Sequence, residues 1–206
     1  MNELRWLPLT GTAALAAFVV ATPARAAQYA TVEETAKRSF PDATSFRETT
    51  LQLSAVDARA VANATGLAPR AVPLRAMVAL GGDKPLGVVV VDAVIGKFEM
   101  IDFAVGIATD GNIRNVEILT YRESHGYEVR LPAWRKQFVG KGKADKLRVD
   151  DDINNISGAT MSATHVTDGV RRRALVIFMK TLCELRTALT PPSSVIAPPR
   201  HQALSL

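Results

Sequence analysis

Hydrophobic positions along the chain fall into three regimes, each predicting a different kind of element. Residues 28–66 read as helical. Thr31 is set to cap a helix that carries Glu33 and Glu34 in its first turn and ends before Pro41. Ser54 to Ala64 is alanine-rich with Gly66 as a natural stop, and residues 67–73 connect onward. The period then changes. Leu74–Leu80, Leu86–Val94, Phe98–Ala108 and Ile113–Tyr121 are β-rich runs parted by Gly81-Gly82-Asp83, Gly96-Lys97 and Asp110-Gly111-Asn112. Short Gly/Asp/Asn turns between such runs predict antiparallel hairpins. Val88–Val91 is apolar throughout, which suits a central strand buried on both faces.

The third regime is helical again. Leu131 to Phe138 predicts a short helix with Pro132 in its first turn, stopped by Gly140. Ser162 to Leu189 is the longest helical candidate, with Val166, Val170, Ala174, Phe178, Leu182, Leu185 and Leu189 on one stripe. After it, Pro191, Pro192, Pro198 and Pro199 break up a Ser/Ala stretch, so 190–206 reads as a disordered tail. The fold class these regimes imply is α+β, an antiparallel sheet packed with helices. An N-terminal helical segment over 28–73 precedes the main domain over 74–189.

The first residues carry a different message. Arg5 is followed by an apolar run from Leu7 to Ala21 and then by Thr22-Pro23-Ala24-Arg25-Ala26-Ala27. Charge, short apolar stretch and an Ala-x-Ala ending form the pattern of a secretory signal peptide over 1–26, cleaved near Ala26. The run is shorter than the roughly 20 residues that span a bilayer. The alternative is an uncleaved anchor. Both leave the domain outside the cytoplasm, facing the periplasm.

Composition narrows the chemistry. The 206 residues are 48% hydrophobic and 22% charged, ordinary for one globular domain. A net charge of +5 raises the question of nucleic acid, but the basic residues are scattered and no aromatics interleave with them. Their densest run, Arg171-Arg172-Arg173, reads as a solvated helix face or as a dock for an acidic redox partner. Nucleic acid is therefore set aside as a partner. The lone Cys183 and the widely spaced His125, His165 and His201 share no ligand spacing, so no structural metal is expected.

The segment that carries chemistry runs from Asp151-Asp152 through Asn154 to Ser157-Gly158-Ala159-Thr160-Met161-Ser162. It is a small-residue, hydroxyl-rich turn that opens into the long helix. A helix N-terminus presents unpaired N–H groups and the positive end of the dipole to an anion. The segment lacks the Gly-Lys-Ser/Thr ending of a nucleotide P-loop. Hydroxyls at this position also serve as ordinary N-caps, and the residues alone leave both readings open.

Ser157-Gly158-Ala159-Thr160 followed by Met161-Ser162 resembles the flavinylation motif of the FMN-binding domain family. Its better-known members are the FMN-carrying subunits of the Rnf complex and the sodium-translocating NADH:quinone reductase. Three further segments resemble the family in the same order: Ile107–Ile118 around Asp110-Gly111, the Glu123-Ser124-His125-Gly126 loop, and Trp134 with Phe138-Val139-Gly140-Lys141. The resemblance spans Val88 to Arg173 and identifies 74–189 as an FMN-binding domain. It departs in one place: Asn154 stands where the family motif carries an aspartate.

The resemblance implies FMN held covalently, its phosphate esterified to Thr160 by an ApbE-type flavin transferase. It implies phosphate contacts from Ser157, Gly158, Ala159 and Ser162. Glu123, Ser124 and Gly126 are expected beside the flavin ring, and Trp134 is a candidate to pack on it or to fill the core. The function implied is an exported electron carrier serving a membrane-bound redox partner, more an electron-transfer protein than a stand-alone enzyme. Two alternatives stay open: an unflavinylated docking module of the same fold, and a small flavin-dependent reductase.

Overall fold

The computed structural model describes residues 27–68 and 73–179. The signal peptide expected over 1–26, the end of the long helix and the tail expected over 190–206 lie outside the described residues.

Six strands form one antiparallel sheet: β1 (Ala27–Gln28), β2 (Ser45–Leu51), β3 (Leu74–Gly81), β4 (Lys84–Ile95), β5 (Met100–Ala108) and β6 (Ile113–Tyr121). Their order across the sheet is β1-β6-β5-β4-β3-β2. The four runs that the Gly/Asp/Asn turns separate are therefore four consecutive antiparallel neighbours, as the hairpin pattern predicts. β4 lies inside the sheet, and Val88, Val89 and Val90 on its two faces are all fully buried.

Helices α1 (Val32–Ser39), α2 (Ala55–Thr65) and α4 (Thr160–Met179) cover the sheet on both faces, and the short α3 (Pro132–Arg135) follows β6. On one face Val88, Val90, Phe103, Val105 and Val116 pack with Val61 of α2 and with Val166, Val170 and Ala174 of α4. On the other, Met77, Val89, Ala104 and Leu119 pack with Ala36 of α1 and with Phe40. α1 and α2 each begin with a capping box, Thr31 with Glu34 and Ser54 with Asp57, and Gly66 ends α2.

The N-terminal segment differs from the helical expectation. Ser45–Leu51 is a strand paired with β3 along its whole length, from Ser45 opposite Leu80 to Leu51 opposite Leu74. Residues 28–73 thus contribute both edges of the sheet and are not a separate helical unit. The sequence Ser-Phe-Arg-Glu-Thr-Thr-Leu is polar because an edge strand is half-solvated.

The arginine run differs too. Arg173 is fully buried and Arg171 nearly so, which corrects the reading of a solvated helix face. Arg173 Nε donates to Asp92 Oδ2 of β4 at 2.7 Å. Arg171 donates to the carbonyl of Thr65 at 2.9 Å and pairs with Asp168 at 3.1 Å, tying α4 to the end of α2. An interior charge needs such a partner, and the strands and α2 supply acceptors that helical periodicity does not reveal.

Candidate functional site

α4 follows the hydroxyl-rich turn and begins at Thr160, two residues before the Ser162 start expected from the sequence. Its first intrahelical bond runs from the Ala163 N–H to the Ala159 carbonyl at 3.0 Å. The N–H groups of Thr160, Met161 and Ser162 precede that bond, so the helix has no carbonyl of its own to offer them. Before them the chain turns at Gly158, whose φ of 80° is left-handed. Thr160 is exposed and Ala159 is buried beneath it.

A cleft of about 540 Å³ opens over this helix start, lined by Gly158, Ala159, Thr160, Met161 and Ser162 on one side and by Lys97, Phe98, Glu123, Ser124 and His125 on the other. Its size lies in the range of small-molecule sites. Of the residues expected there, Thr160, Gly158, Ala159, Ser162, Glu123 and Ser124 share this cleft. Ser157 lies just before the lining and is exposed.

Glu123 is committed to the protein. Its Oε1 accepts from the N–H of Phe98 at 2.6 Å and of Glu99 at 3.0 Å, clasping the turn between β4 and β5. A Cβ at Gly96 would come within 2.5 Å of the same oxygen, so only glycine lets the turn approach this closely. Burial pushes the Glu123 carboxyl up. The N–H groups of Glu99, Phe98 and Lys97, together with the Lys97 charge, outweigh it and leave the pKa below its usual value.

Gly126 sits behind the cleft wall, buried, with φ at 82°. A Cβ there would fall 2.9 Å from both the Ala159 Cβ and the Tyr121 hydroxyl. Tyr121 donates to the His125 carbonyl and is hydrogen-bonded to the Ser162 side chain. Burial raises the Tyr121 pKa, the charges of Glu123 and Glu128 add to the rise, and the Ser162 bond and Arg130 oppose it. Gly126 and Ser162 therefore join the Glu123 loop to the start of α4 from beneath.

Trp134 does not line the cleft. It is buried, its ring edge-on to Phe138 with centroids 5.2 Å apart at 73°. Its indole N–H donates to the Asn154 carbonyl at 2.8 Å, the interior acceptor a buried tryptophan needs. The Asn154 N–H in turn donates to Gln137 Oε1 at 2.8 Å. Trp134 and Gln137 thus hold the backbone three residues upstream of Ser157, while the Asn154 residue itself remains exposed.

Asp152 fixes the preceding loop. Its carboxylate accepts from the N–H groups of Leu147 at 3.1 Å and Arg148 at 2.9 Å and pairs with Lys141 at 3.2 Å. Burial pushes its pKa up, and those two N–H groups with Lys141 more than offset it, so the carboxyl titrates below its usual range.

Sequence reasoning missed Lys97, Phe98, His125 and Met161 as lining residues. The available signal was an apolar residue directly after Gly96-Lys97, where a turn is usually polar. Among the described residues no cluster of His, Cys, Asp and Glu is arranged to hold a metal ion, and no helix is long and apolar enough to cross a membrane.

The donor set fits a phosphate ester: open first-turn amides, an exposed hydroxyl, and small residues that bring the backbone close to an anion. Residues 96–174 match the family model of the FMN-binding domain, a span that contains the whole cleft. The solved structures include NqrC of Shewanella oneidensis, 21% identical, with 68% of this chain and 86% of that chain covered and a TM-score of 0.48. None of the curated proteins matches. The similarity to the FMN-binding domain thus takes in every lining residue of the cleft.

Proposed function

We propose that this protein is an exported electron carrier that holds FMN through an ester between the flavin's phosphate and Thr160 Oγ1. One observation carries the reading: the exposed Thr160 hydroxyl stands at the open N-terminus of α4, in a cleft inside the segment that matches the FMN-binding domain. Bound there, FMN supplies electron-transfer chemistry that no side chain provides. The chain's own residues bind and orient it. The amides of Thr160, Met161 and Ser162 would hold the phosphate, and the Glu123 loop forms the opposite wall of the cleft.

Joining an alcohol to a phosphate monoester in water is unfavourable, so the flavin's phosphate arrives activated. With the flavin phosphate supplied as a phosphoanhydride, the Thr160 Oγ1–P bond would form as the anhydride P–O bond breaks, the second phosphate leaving with the bonding electrons and the hydroxyl proton passing to a base of the transferase. A flavin transferase of the ApbE type is the expected partner for this step. Asn154 is exposed to such an enzyme, where the family motif carries an aspartate.

The leader-like sequence over 1–26 supports export, and a covalent tether suits a compartment where free FMN would be diluted away. A membrane-bound redox partner then gives or takes the electrons. Carrier suits the cleft better than reductase: Glu123 Oε1 is taken by two backbone amides, and the His125 ring is hydrogen-bonded through Nδ1 to Ser124 Oγ at 2.9 Å. Neither pairing activates a substrate.

Intact mass tests the reading. Protein exported beside a flavin transferase should gain the mass of one FMN less water and stay yellow when denatured, and Thr160→Ala should gain nothing. Wild-type protein with only its peptide mass would refute the attachment. Asn154→Asp should label faster if the motif carboxylate assists the transferase.

A further inference from the structure

Phe98 is exposed where a phenyl ring is least expected. It lies on the turn between β4 and β5, 72% exposed, and it lines the cleft that holds Thr160. The turn is held firmly: Glu123 Oε1 takes its amides, and the Gly96 N–H donates to the Glu99 carbonyl at 2.7 Å. The Lys97 ammonium sits 4.9 Å from the ring centroid and leaves the ring open to solvent. Met161, across the cleft, is 47% exposed, and Ile95 and Met100, the pair closing the β4–β5 ladder, are 55% and 39% exposed. An apolar ring fixed in water at the mouth of a cleft is shaped to receive a flat apolar surface.

We propose that Phe98 is the stacking platform for the isoalloxazine ring of FMN, with Met161 against the same ring from α4. The inference rests on the reading that FMN is joined to Thr160. A tether at Thr160 confines the flavin to this cleft, whose lining carries two rings, the polar His125 imidazole, hydrogen-bonded to Ser124, and the apolar phenyl of Phe98. A phenyl ring and a flat heteroaromatic favour offset stacking beyond the gain from burial alone. The Glu123 clasp supplies preorganisation of the backbone that carries the ring, so the turn need not be ordered when the flavin docks. Glu123 is thus a positioning residue that acts through the turn.

The test uses flavinylated wild-type, Phe98→Ala and Phe98→Trp proteins. The wild-type adduct mass reports on the attachment to Thr160, independently of Phe98. Flavin emission reports on the platform. Phe98→Trp should be several-fold dimmer than wild type, because an indole in contact donates an electron to the excited flavin. Phe98→Ala should admit iodide to the flavin more readily, read as a steeper quenching slope. Unchanged emission from adduct-bearing Phe98→Trp overturns the platform whatever the alanine variant does. Phe98 would then be left as an apolar contact for a partner protein.

Discussion

Replacing Asp92 by alanine should strand a guanidinium inside the core. Arg173 is fully buried, its Nε 2.7 Å from Asp92 Oδ2, and among the described residues its Nη1 and Nη2 have no hydrogen-bond partner. Removing one member of a buried pair leaves the other charge desolvated, at a cost of about 3–5 kcal/mol. Set against a domain stability of about 5–15 kcal/mol, that is at least about a fifth of the whole. The melting temperature should fall by roughly 6–20 °C. The double variant Asp92→Leu with Arg173→Met removes both charges and should be neutral or more stable by about 1–4 kcal/mol. Urea unfolding followed by far-UV circular dichroism measures both, and constant m-values keep the comparison valid. If Asp92→Ala cost under about 1 kcal/mol, Arg173 would have found water or another acceptor, and the buried-pair argument would fail.

Gly126→Ala should destabilise by about 1–3 kcal/mol, from positive φ and from the methyl's approach to Ala159 and Tyr121, and should slow flavinylation by displacing the start of α4. Calorimetry and intact mass read the two effects. Ser54→Ala breaks the capping box of α2 and should cost about 0.5–2 kcal/mol in urea unfolding without altering the flavin's spectrum. The folded-state pKa of Glu123 is depressed below its ordinary 4.5, so its contribution is present above that pH and is lost as pH falls through the lower folded value. Asp152, depressed from 3.8, behaves likewise. Amide exchange at Phe98 and Glu99, relative to global exchange, should therefore rise on acidification below about 4.5, and in Glu123→Gln the rise should disappear.

The sheet was legible where local chemistry decides it. Gly81-Gly82-Asp83, Gly96-Lys97 and Asp110-Gly111-Asn112 force reversals, and the runs between them have nowhere to pair except with each other. β2 was illegible because its strand character comes from β3, a partner beyond α2, and its exposed edge position removes the alternation that marks a half-buried strand. The turn leading into α4 could be read from its small residues. Trp134 could not be assigned, because its packing on Phe138 and its bond to Asn154 are set by tertiary contacts. For the same reason Arg173 looked like surface: its partner Asp92 lies 81 residues away.

The matched segment begins at residue 96, at the turn that Glu123 clasps, and so leaves out β1, β2, β3 and β4. A fragment cut to those limits would keep every residue of the cleft yet lose β4, one of the two strands that flank β5, along with Asp92 and the whole of α1. Such a piece would expose bare β5 ladder groups and an unpaired arginine, and it should aggregate before it could accept a flavin. The recognisable motif is therefore not a portable cassette: grafting the flavin site elsewhere means carrying along the chain from its first strand onward.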